Sequence, residues 1–81
     1  MTAKKPARKI ISGIDVGNEF KPGCFAAKIA SNRLAIRRFR EGQIELMGYV
    51  DQIRNAFHVS TVRGARVAVV SDLKVALLEL V

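Results

Sequence analysis

The chain has 81 residues, enough for one hydrophobic core and one domain, and with 49% hydrophobic and 26% charged residues it is far from the composition of disordered chains. Its 14 Lys plus Arg stand against 7 Asp plus Glu, a formal charge of +7, so polyanions are attracted to its surface and nucleic acid is the first partner class to consider. No apolar run reaches the ~18 residues that a membrane span needs, and the single cysteine, Cys24, excludes an internal disulfide and suits a reducing cytoplasm.

Residues 1–8, with Lys4, Lys5 and Arg8, read as a flexible basic tail ahead of a single domain over 9–81. The run KIISGIDV (9–16) is β-branched and apolar, the pattern of a strand buried on both faces. Gly17, Asn18, Pro22 and Gly23 form a turn-rich break. The two short apolar runs 24–30 and 33–39, joined at Ser31-Asn32, predict a β-hairpin. Its outer strand carries Arg33, Arg37 and Arg38, with Arg40 just beyond, and such charges protect an exposed edge against aggregation.

From Glu41 the period changes. Leu46, Val50, Ile53 and Phe57 recur at spacings of four, three and four, which predicts an amphipathic helix ending near His58. After a polar loop, RVAVV (66–70) fits another buried strand. Ser71 or Asp72 then caps a terminal helix with the stripe Leu73, Ala76, Leu77 and Leu80. Val75, Leu78 and Val81 make its other side apolar too, so this helix either belongs to a longer domain or docks on a partner, a second copy first of all.

The order β-β-β-α-β-α predicts an α/β fold with a mixed sheet that includes an N-terminal hairpin. Its fourth strand rises parallel to the first through a right-handed crossover. Asp15 then lies near the top of the first strand, Asp72 just past the top of the fourth, and Glu45 in the first turn of the helix. All three face the rim where open α/β sheets bind ligands. Three of seven acids converging on a basic protein call for a divalent cation, Mg²⁺ or Mn²⁺. A pair of such ions about 4 Å apart supports phosphodiester hydrolysis. Each acid also has an ordinary role: Asp15 in a turn, Glu45 at a helix N-terminus, Asp72 as an N-cap.

These segments resemble the first half of a ribonuclease H domain: a first strand with its Asp (IDVG), the turn GNEFKPG, an apolar hairpin, a helix opening on IELMG, and a strand ending in SDLKVALL. The resemblance spans residues 10–80 and implies a shortened ribonuclease H-like sheet in which Asp15, Glu45 and Asp72 are catalytic metal ligands. The opening GIDVG is also similar to RuvC-like nucleases, transposases and actin-like ATPases. The chain departs from the ribonuclease H pattern in two places. It stops before a fifth strand and a fourth acid, for which only Glu19 and Asp51 remain, and it has Glu41-Gly42-Gln43 ahead of the Glu.

Two functions follow. The first is a minimal, divalent-metal-dependent nuclease acting on RNA, DNA or a hybrid, with Arg37, Arg38, Arg40, Arg63 and Arg66 on the phosphates. The second is a non-catalytic basic module of the phage or mobile-element type that binds nucleic acid or a protein, as a homodimer.

Overall fold

The structure, a computed structural model, describes residues 9–11 and 14–81, with side chains from Val16 onward. Seven strands follow one another: β1 (Lys9–Ile11), β2 (Ile14–Lys21), β3 (Cys24–Ala30), β4 (Arg33–Arg40), β5 (Gln43–Ile53), β6 (Ala56–Thr61) and β7 (Arg66–Val70). One short helix, α1 (Leu73–Leu78), closes the order. Each strand pairs antiparallel with its neighbour in sequence, giving the sheet order β1-β2-β3-β4-β5-β6-β7. The expectation for residues 1–8 lies outside the described residues.

The α/β ribonuclease H-like sheet is therefore corrected to an antiparallel meander. No described pair of strands is parallel, and there is no crossover. The predicted helix over 41–58 is replaced by a hairpin of β5 and β6. Strand β4, expected at an edge, is paired on both sides. Its arginines sit mid-sheet and do not guard a border.

The physical cause is turn chemistry. Four connections are two-residue loops, Pro22-Gly23, Ser31-Asn32, Glu41-Gly42 and Arg54-Asn55, each closed by a directly paired couple such as Arg40↔Gln43 or Ile53↔Ala56. At Glu41-Gly42 both residues have positive φ (53° and 76°), the backbone twist that matches antiparallel strands. In the β2–β3 turn, the Gly23 N–H donates to Glu19 Oε2 at 2.9 Å. A bulge at Met47 then shifts the parity of β5 halfway along its length, so Ile44 and Leu46 lie on one face and Val50 on the other. That shift replaces a clean alternation with spacings that imitate a helix.

Cross-strand register assembles the core. Leu34, Val50, Val59 and Ala68 stand opposite one another across β4 to β7, and Ala26 stands opposite Ile36. Ile36, Val50 and Val59 are fully buried, and each contributes about 1.5–3 kcal/mol relative to exposure. Helix α1 lies over this face and inserts Ala76, also fully buried, among them. Phe20 from β2 and Leu77 and Leu80 from the C-terminal segment pack around the same cluster. Asp72 caps α1, its Oδ1 accepting the Lys74 N–H at 3.0 Å. Phe25, Ala27 and Ala35 point to the opposite face and are buried there. The Cys24 thiol is buried and unpaired. Among the described residues no helix is long and apolar enough to cross a membrane.

Candidate nucleic-acid interface

The three acids expected to converge sit on different elements of the meander. Asp15 sits in β2 opposite Ile10, while Asp72 follows β7, and four strands stand between β2 and β7 in the sheet order. Glu45 lies in β5, directly opposite Arg38. Arg38 donates to Glu45 Oε1 from Nη2 at 2.9 Å and from Nε at 3.2 Å, a contact that holds the Glu45 carboxyl below its ordinary range. Asp72 is occupied as an N-cap. Among the described residues no three His, Cys, Asp or Glu side chains stand together. Of the two further acids, Glu19 accepts from the β2–β3 turn and Asp51 pairs with Arg33.

A different cluster forms on the face away from α1. Register places Arg33 opposite Asp51, Asp51 opposite His58, and Ser60 opposite Arg66. Tyr49, two residues from Asp51 on β5, is the diagonal neighbour of Arg33, whose guanidinium carbon lies 4.1 Å from the ring centroid. Arg33 Nε lies 3.0 Å from Asp51 Oδ1. The approach is an ion contact without hydrogen-bond alignment, because Nε is buried and has no hydrogen-bond partner among the described residues. His58 Nδ1 is likewise buried without one. Arg33, Asp51, Ile53, His58, Ser60 and Arg66 line an open depression of about 380 Å³.

The chemistry of the lining is one-sided. Two guanidinium groups, an imidazole and a hydroxyl surround the depression, and Asp51, the acid present, is already engaged by Arg33. No described hydrogen bond joins His58 to Ser60, and His58 Nδ1 has no described hydrogen-bond partner. Such a lining offers mainly hydrogen-bond donors and positive charge, the groups that an oxyanion accepts from.

The expected phosphate ligands divide between the two faces. Arg38 faces the α1 side and is held by Glu45. Arg40 ends β4 beside the Glu41-Gly42 turn and is exposed. Arg37 lies half-buried on the opposite face, opposite Leu46. Arg63 stands in the β6–β7 loop and Arg66 at the start of β7. The β6–β7 loop is tied by the Thr61 N–H donating to Ala65 O (2.9 Å), the Gly64 N–H to Thr61 O (2.9 Å) and the Ala65 N–H to Thr61 Oγ1 (3.2 Å). It presents Arg63 exposed, and Arg66, also exposed, opens β7 and lines the depression.

Sequence reasoning missed Arg33, Tyr49, Asp51, His58 and Ser60 as a group. Once 41–58 is read as a helix, their cross-strand neighbours vanish. The available signal was Glu41-Gly42, a hairpin turn between two strand-like runs.

Compared with known proteins, the chain matches no family model, no curated protein and no solved structure.

Proposed function

We propose that the chain is a non-catalytic module that binds nucleic acid through its phosphates, using the face that carries Arg33, His58, Ser60 and Arg66 together with the Arg63 loop. One observation supports this above the rest. Arg63 and Arg66 carry positive charge that no described acid balances, at the edge of a depression whose free polar groups are donors or an imidazole. Hydrolysis rested on the first and fourth expected strands lying side by side, and the meander removes that ground. Binding needs only the cationic surface, and phosphate contacts dominate nonspecific affinity.

The test is fluorescence anisotropy with labelled single-stranded RNA, single-stranded DNA and duplex DNA, without divalent metal and over a range of salt. Log affinity falls linearly with log salt, at about 0.7 to 0.9 per phosphate engaged. The double variant Arg63→Ala, Arg66→Ala flattens that slope by about 2 and weakens all sequences about equally. Absence of binding to all three probes at low salt overturns the proposal.

A further inference from the structure

Within the depression, Arg33 is held from two sides. Its guanidinium lies over the Tyr49 ring, 4.1 Å from the centroid, and its Nε lies 3.0 Å from Asp51 Oδ1. Contact with a ring uses the flat face of a guanidinium, and the approach to Asp51 uses its Nε side. Nη1 and Nη2 enter no described hydrogen bond, so the forked end of the group is free. Nε is buried while the side chain as a whole is 42% exposed, so the exposure falls on its other atoms. His58 and Ser60 from β6 and Arg66 from β7 line the same depression, so its donors come from three strands.

We infer that the depression takes a phosphomonoester, the terminal phosphate of a nucleic-acid strand, with Arg33 as the residue that reads it. This preference rests on the nucleic-acid reading above and narrows it to strand ends. A terminal phosphate has three free oxygens and close to two negative charges at neutral pH, whereas a phosphodiester within a strand has two free oxygens and one charge. The free fork of Arg33 takes two oxygens in parallel hydrogen bonds and leaves the third for the Ser60 hydroxyl or Arg66. A diester offers the same two oxygens but no third for the remaining donors. Asp51 lies in the same lining, but its charge is engaged by Arg33, and Arg66 adds a charge that no described acid balances. Tyr49 meets the guanidinium and is not among the residues that line the depression, so it is a positioning residue.

The test uses one single-stranded DNA sequence, labelled internally, that carries a 5′-phosphate, a 3′-phosphate or hydroxyls at both ends. Affinities for the full chain are read by fluorescence anisotropy without divalent metal. A hydroxyl-ended strand one nucleotide longer controls for the added charge. A phosphate on at least one end tightens binding about tenfold over both hydroxyl-ended strands, the size expected of charge-assisted hydrogen bonds. Arg33→Lys keeps the charge but loses the fork, and shrinks that preference to below about threefold. Tyr49→Leu shrinks it likewise, because the guanidinium loses its support, while Tyr49→Phe retains it. Equal affinity for phosphate-ended and hydroxyl-ended strands, or a preference that survives Arg33→Lys or Tyr49→Leu, overturns the terminal-phosphate assignment and leaves the nucleic-acid reading standing. A protein that binds none of the strands overturns that reading as well.

Discussion

At the residue scale, single contacts set measurable stability. Gly17 has φ +102°, and a Cβ there would stand 2.6 Å from the Ala27 Cα. Gly42 has φ +76° with nothing within 4 Å of the same atom. Both positions resist side chains for conformational reasons, but only Gly17 adds a clash with backbone that cannot move aside. Gly17→Ala is therefore expected to cost about 2–4 kcal/mol in denaturant unfolding, and Gly42→Ala about 1 kcal/mol. Equal losses would show that β2 does not approach β3 this closely. Glu45 offers a pH-dependent counterpart. The Arg38 hydrogen bond and charge lower its folded-state pKa from the ordinary 4.5. The stability contributed by its charged form is present above that ordinary value and is lost as pH falls through the lowered one. Glu45→Gln is expected to melt slightly below wild type at neutral pH, with the gap closing in acid. A gap that persists after the carboxyl is protonated would remove the ion pair as its cause.

At the element scale, the helix and the hairpins show what was legible in the residues. The boundaries of β3 and β7, the start of β4 and the Asp72 cap of α1 match their local patterns, because each is short and bounded by unambiguous turn or capping residues. The 41–58 segment was misread because a bulge at Met47 gives a strand the spacing of a helix. The turn spacing held the better information: Pro22-Gly23, Ser31-Asn32, Glu41-Gly42 and Arg54-Asn55 punctuate the chain at intervals typical of an all-β domain. The site was hidden by the same error, since Asp51 meets His58 and Arg33 only through strand register. α1 is too short to be stable by itself, so its order depends on the Ala76 contact. Ala76→Leu overfills that fully buried position and is expected to cost about 1–3 kcal/mol. Amide hydrogen exchange is expected to speed up in α1 more than in β4 and β5. A uniform change would mean that helix and sheet open as one unit.

At the scale of the whole molecule, the positive charge is not spread evenly in effect. Glu45 and Asp51 neutralise Arg38 and Arg33, while Arg40, Arg63 and Arg66 make no ion pair with a described acid. Affinity for polyanions is thus expected to depend on position and not on the charge total alone. Lys21→Ala and Arg63→Ala remove the same charge, but the second is expected to weaken nucleic-acid binding several-fold more at moderate salt. Equal losses measured by anisotropy would point to nonspecific attraction over the entire surface.

The meander also has a kinetic side. Since every strand pairs with the strand just before it, each hairpin can zip onto the growing sheet with little loop-closure entropy, so assembly is fast for an all-β chain. α1 follows all seven strands, and Ala76 fills its place among Ile36, Val50 and Val59 only after they have paired. During synthesis, the partly built sheet therefore holds an uncovered greasy trough until α1 leaves the ribosome. That interval exposes apolar surface that the folded protein covers, the condition under which partly folded chains associate.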